Sequence, residues 1–232
     1  HLQLLFLIMA YSFFCLAKTV SPATGNPVTE FFREGGFFMY PLVLASVVGV
    51  MVIVFKLISL RRERIVPETL ARRIEALDES GGHEGWEPLW HEFRQGHSSL
   101  ARLATVALKH AGKPQSEIAH AVEAAARGEM VRIHSGIQTL DTLVTIGPLL
   151  GLLGTVSGLV VVFRGLNDTS DHVVIARGIA EALHTTIFGI SIAVGAVVAH
   201  GWFSRRIELM TSRMESVLAD LSHLFGKPRA ND

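Results

Sequence analysis

The chain has 232 residues, 49% of them hydrophobic and only 18% charged, with a mean hydropathy of +0.38; this balance departs from that of water-soluble enzymes and points to a membrane protein. Its 21 basic and 21 acidic residues leave a formal net charge of zero, which removes the electrostatic basis of general nucleic-acid binding. The single cysteine, Cys15, excludes an internal disulfide and a cysteine-rich zinc site.

Leu2–Ala17 is an apolar run too short for a comfortable span, with Cys15 and Ala17 as small residues ahead of Lys18. It reads either as a signal-peptide-like segment or as an N-terminal helix on or in the membrane, and with the linker around Asn26 and Pro27 it accounts for residues 1–29. Residues 30–60 hold an aromatic lead-in (Phe31, Phe32, Phe37, Phe38) and a first transmembrane helix whose polar breaks are Ser46, Lys56 and Ser59. Lys56 lies about a turn from the end, where a long side chain can snorkel to the interface.

Residues 61–137 have the composition of a cytoplasmic helical domain. Arg61, Arg62, Arg64, Arg72 and Arg73 follow the first span; a basic run in this place determines topology and meets lipid headgroups rather than nucleic acid. Leu70, Ile74 and Leu77 share one helix face, Trp86, Leu89, Trp90 and Phe93 form the next apolar set, and Leu100, Leu103, Val106 and Ala107 precede Gly112. From Pro114 onward Ile118, Val122, Ala125, Ile133 and Ile137 recur at helical spacing with no proline before Pro148, so this helix is expected to run unbroken into the second span. His83, His91, His97, His110, His120 and His134 are scattered without ligand spacing, and no metal site or cofactor is expected.

A second transmembrane helix is expected over 138–165, a short periplasmic link over 166–174, a third span over 175–204 and a helical tail over 205–232. The third helix also continues past the membrane, because Ile207, Met210, Met214, Val217, Leu221 and Leu224 keep an apolar face. Arg205, Arg206 and Arg213 follow the third span, so the positive-inside rule makes the middle segment and the C-terminus cytoplasmic and the N-terminus periplasmic. The expected fold class is thus all-α: a polytopic membrane protein with three transmembrane helices, two of them extended into a cytoplasmic helical bundle.

Inside the spans, polar and small residues carry the functional signal. Gly147, Pro148, Gly151, Gly154 and Gly158 interrupt an otherwise lipid-soluble helix, with glycines four apart where a neighbouring backbone can approach. Thr155 places a hydroxyl at membrane depth. In the third span Glu181, His184, Thr185 and Thr186 fall close together, and an ionisable residue there is a functional candidate. No nucleophile triad, phosphate loop or dinucleotide motif occurs, so no catalytic residue is assigned.

The segment Gly147–Gly158, Gly-Pro-Leu-Leu-Gly-Leu-Leu-Gly-Thr-Val-Ser-Gly, together with Gly-Ile-Ala-Glu-Ala-Leu at Gly178–Leu183 and Thr186 beyond it, resembles the MotA/TolQ/ExbB proton channel family, and its ExbB/TolQ branch most. Gly147 replaces an alanine of the signature, His184 and Thr185 replace small apolar residues, and Gly195 stands where a proline is frequent. The resemblance implies an inner-membrane channel subunit, not an enzyme, that forms a homopentamer in the bilayer around an ExbD/TolR-like single-span partner. It also implies that Thr155 and Thr186 flank a partner aspartate, with Glu181 nearer the outer entrance. Two other functions fit the residues: a membrane scaffold or secondary transporter binding a solute or metal at Glu181 and His184, and a sodium-driven stator, since hydroxyls also coordinate sodium.

Overall fold

The computed structural model describes residues 37–60, 65–80, 93, 96, 98–165 and 172–226. The N-terminal apolar run, Phe31 and Phe32, Arg61, Arg62 and Arg64, the Trp86–Trp90 set, His83, His91 and His97, and the centre of the link at 166–171 lie outside the described residues. Six helices are described: α1 (Met39–Ser59), α2 (Glu68–Ser80), α3 (Ser99–Lys109), α4 (Gln115–His134), α5 (Ile137–Gly165) and α6 (His172–Gly226). Among the described residues there is no strand. Among the described residues three stretches are long and apolar enough to cross a membrane, Met39–Ser59, Ile137–Phe163 and a third within Gly178–Ser222, so the protein is an all-α multi-pass membrane protein.

The chain divides into two compact units: residues up to Val54 with Gly136–Trp202, and Phe55–Ser135 with Phe203 onward. In the first unit α1 is rich in β-branched residues that would suit a strand in water. A lone strand in hydrocarbon leaves its backbone groups unbonded, so the helix wins there. Pro41 falls in the first turn of α1, where its missing N–H costs nothing. Pro148 lies inside α5 and removes the bond that Val144 O would otherwise receive. Met39 and Leu42 of α1 are buried with Phe188 of α6, flanked by Val43, Leu150 and Ile192, so all three spans share this core.

The second unit is held by apolar side chains and ion pairs. Leu70 and Ile74 of α2, Leu100 and Leu103 of α3, Ile118 and Val122 of α4, and Ile207, Met210, Met214, Val217 and Leu221 of α6 are buried, as the helical spacing predicts; the side chains of Leu77 and Leu224 lie outside the described residues. Ser98 caps α3 by accepting a 3.1 Å hydrogen bond from the Ala101 N–H. Gly112, at φ +87, turns the chain into α4, which packs against α3. Arg102 grips Glu129 through two bonds, Nε to Oε1 at 2.9 Å and Nη2 to Oε2 at 2.6 Å. Burial alone would raise the Glu129 carboxyl, but the hydrogen bond and charge of Arg102, a hydrogen bond from Ser99 and the charge of Arg132 together hold it below the usual carboxylate range. Arg213 of α6 pairs with Glu75 of α2 at 2.8 Å.

Two sequence-based expectations are corrected here. The helix after Pro114 does not run unbroken into the second span: α4 ends at His134, Gly136 takes φ +84, and α5 begins at Ile137. Lys56 does not snorkel outward. It is only 2% exposed, and its Nζ donates a 2.8 Å hydrogen bond to the carbonyl of Ile133.

Candidate ion pathway and helix seam

The four α5 glycines singled out in the sequence, Gly147, Gly151, Gly154 and Gly158, lie along the face that meets α6. A Cβ added at Gly147 would stand 2.9 Å from the carbonyl oxygen of Gly189, and one at Gly189 would stand 2.5 Å from that of Gly147, so here the two backbones touch. At Gly151 an added Cβ would meet the Thr186 Cα at 3.0 Å and the Thr185 carbonyl at 3.1 Å. Gly154 faces the Thr185 side chain, and Gly158 faces Ala182. Helices gain nothing from apolar burial when lipid is the alternative; close van der Waals approach and interhelical hydrogen bonds associate them instead, and small residues permit both. The glycines thus meet the chain's own third span. Pro148, one residue on from Gly147, is half-buried.

The hydroxyls cluster along this seam. Thr186, half-buried on α6, donates a 3.0 Å hydrogen bond to the carbonyl of Gly151 across the two helices. Thr185, 2% exposed, donates to its own helix at Ala182 O, 2.8 Å away. Thr155, half-buried and four residues beyond Gly151, donates to Leu152 O at 2.7 Å. A hydroxyl bonded to its own helix keeps its oxygen lone pairs for another donor, so Thr155 stays able to accept a bond from outside. Gly151 is therefore the point where the second-span and third-span motifs meet: its carbonyl takes the Thr186 hydroxyl, and Thr155 lies one turn further along the same helix. His184 is half-buried on α6 beside Thr185. Glu181 lies on α6, but its side chain is outside the described residues. Among the described residues no three His, Cys, Asp or Glu side chains gather to hold a metal ion.

On the α6 side of the seam the third-span motif took in Gly178 and Ala182, but the sequence reading passed over Gly189 and Ala193. The signal was present in two glycine–alanine pairs four residues apart, Gly178 with Ala182 and Gly189 with Ala193. Polar neighbours drew attention to Glu181 and Thr186, while the apolar context of Gly189 hid its backbone contact with Gly147.

The family model of MotA/TolQ/ExbB proton channels matches residues 95–216, more than half of the 232, and this match takes in both motifs and the Gly151–Thr186 contact. The chain belongs to the MotA/TolQ/ExbB proton channel family. It is 29% identical over 192 residues to an ExbB biopolymer transport homolog of Methanothermobacter thermautotrophicus, covering 82% of this chain and 67% of the relative. It is 27% identical over 189 residues to the biopolymer transport protein exbB1 of Vibrio cholerae, covering 80% and 83%. The Tol-Pal system protein TolQ of Pseudomonas aeruginosa is 32% identical over 123 residues, covering 52% and 53%. These relatives set the MotA/TolQ/ExbB chain in the ExbB/TolQ branch of its family. The seam glycines and the two threonines thus belong to a polytopic protein of a proton-channel family.

Proposed function

We propose that the chain is the channel-forming subunit of a proton-driven motor in the bacterial inner membrane, with its N-terminus in the periplasm and its C-terminus in the cytoplasm, and that it is not an enzyme. The observation that carries this reading is the junction at Gly151, where the Thr186 hydroxyl bridges two spans and Thr155 lies one turn away, inside the region that matches a proton-channel family. Hydroxyls donate and accept without holding a fixed charge, so they can solvate a proton-carrying group at membrane depth without the cost of a buried ion.

In this reading several copies, a pentamer by resemblance to the family, enclose the single transmembrane helix of an ExbD/TolR-like partner, and an aspartate on that helix takes up and releases the proton. Protonation removes the carboxylate's charge and its need for polar neighbours, which frees the partner to move past Thr155 and Thr186. Glu181 stands nearer the outer entrance and delivers protons to that aspartate. Because the α5 glycines pack against α6, the partner meets Thr155 beside the seam. The power goes to transport across the envelope or to its upkeep.

The test is proton flux in liposomes holding the chain with its single-span partner. Thr155→Val combined with Thr186→Val is expected to abolish flux while the complex keeps its size in native mass spectrometry. Wild-type flux in the double variant sinks the assignment of the threonines. Hydroxyl oxygens can also serve as ligands for a hard cation; flux that follows a sodium gradient at fixed pH would favour a sodium-driven stator.

A further inference from the structure

Five residues of α5 recur at alternating intervals of four and three, Asp141, Thr145, Pro148, Leu152 and Thr155, the spacing that keeps side chains on one stripe of a helix. Asp141, Thr145 and Leu152 are exposed and Pro148 and Thr155 half-buried, so the stripe runs beside the glycine seam and not within it. It climbs from the edge of the span to the level of the pathway. At a rise of about 1.5 Å per residue, Asp141 stands about 6 Å beyond the start of α5 and Thr155 about 21 Å beyond Asp141.

Between those two levels further polar groups lie on the same side. The Thr145 hydroxyl, about 6 Å deeper than Asp141, is 3.5 Å from its own-helix acceptor, Asp141 O, well beyond the usual O–H···O separation of about 2.7–2.8 Å. Thr142, off the stripe, donates to Gln138 O at 2.8 Å. The helix therefore serves the hydroxyl that stands off the stripe and leaves that of Thr145 poorly served. Pro148, the next member, has no N–H for the Val144 carbonyl, which points along the axis toward it. An acceptor short of its helical donor thus opens at that level. Lipid offers none of these groups a partner. A carboxylate alone at the bilayer edge is hydrated with little penalty, but a hydroxyl and a carbonyl continuing its stripe toward Thr155 need water or protein at greater depth.

We propose that this stripe is the cytoplasmic arm of the ion pathway: it faces water inside the assembled protein, and Asp141 is the group that passes the proton to the cytoplasm. The proton released by the partner's carboxyl at the level of Thr155 goes to water and moves along water past Leu152. The Val144 carbonyl and the Thr145 hydroxyl hold that water below. A carboxylate oxygen of Asp141 then binds the proton and releases it to bulk water, which restores the carboxylate. The role of Asp141 rests on the channel reading; the wetting of the stripe does not.

Thiol labelling tests the wetting without any flux. The chain with its single-span partner is placed in lipid nanodiscs on a Cys15→Ser background. Single cysteines are introduced on the stripe, as Thr145→Cys and Leu152→Cys, and beside it at matching depth, as Ile146→Cys and Leu153→Cys. A charged, membrane-impermeant thiosulfonate is expected to modify each stripe cysteine at least tenfold faster than its neighbour. Equal rates within the pairs overturn the proposal, and either pair decides it if a member of the other fails to assemble. In liposomes Asp141→Asn, which keeps the shape and removes the proton acceptor, is expected to lower proton flux at least tenfold while the complex keeps its size, and Asp141→Glu to restore most of it. Wild-type flux in Asp141→Asn overturns the exit role. Stripe labelling as expected in a complex whose wild type passes no protons upholds the wet stripe and overturns the channel reading; wild-type flux with equal labelling does the reverse.

Discussion

Where α5 meets α6 the contact residues are Gly147, Gly151, Gly154 and Gly158 against Gly189, Thr185, Thr186 and Ala182, whereas the buried residues of α4 are Ile118, Val122, Ala126 and Ile133. The first interface is made by leaving side chains out and the second by putting them in. Water explains the second, because apolar side chains leave it on folding. Lipid explains the first, because a leucine gains nothing by leaving hydrocarbon, and only close backbone approach and hydrogen bonds such as Thr186 to Gly151 distinguish the packed state. It follows that the seam should fail when atoms are added and the second unit when they are removed.

The largest effect is expected from Gly189→Leu or Gly151→Leu, where the added atoms collide with backbone. The destabilisation should exceed about 3 kcal/mol, at the far end of the range for single substitutions, read as loss of a folded species in detergent unfolding curves. Equal stability of these variants would break the comparison outright. Next comes Leu100→Ala in α3, a fully buried side chain, for which a loss of about 2–5 kcal/mol is expected by thermal or denaturant unfolding. Tolerance of this variant alongside failure at Gly189 would mean that the second unit also depends on close approach.

Thr186→Val keeps the shape of the seam and removes its interhelical bond. A stability loss of about 0.6–1.7 kcal/mol is expected, small beside the expected loss of proton flux, and that contrast separates a structural hydroxyl from one in the pathway. The smallest effect is expected at the Arg102–Glu129 pair, where Glu129 is 12% and Arg102 44% exposed. Glu129→Gln should cost on the order of 1 kcal/mol at neutral pH. The Glu129 carboxyl is held below its ordinary value, so its contribution is complete above the usual carboxylate range of about 4 and is lost as the pH falls through the lower folded value. The gap in melting temperature between wild type and variant should therefore close in acid. A gap that widens in acid would reverse the assigned sign.

Much of this comparison was legible before any coordinates. The three spans follow from apolar length, and the buried face of α6 from Ile207 to Leu221 follows from helical period. The second-span glycines and threonine stood out because lipid solubility alone does not require them. Gly189 did not stand out, since a glycine among apolar residues has the same sequence appearance whether or not a backbone lies against it. The break at Ser135–Gly136 was not read from the sequence: both residues are compatible with a helix, and only the fold shows Gly136 at φ +84 and the Lys56 ammonium, from 77 positions away, on the Ile133 carbonyl.

The sequence by itself thus determined what hydrophobicity and period can determine: helices only, three of them long enough for a bilayer, and a family signature around Gly147–Gly158 and Gly178–Thr186. The tertiary structure decided which groups meet. It set Gly147 against Gly189, gave the Thr186 hydroxyl to Gly151, buried Lys56 and ended α4 at His134. The reason is physical: the water–lipid preference of a side chain is a property of the residue, whereas close contact and the donor that reaches a carbonyl depend on residues far apart in the chain.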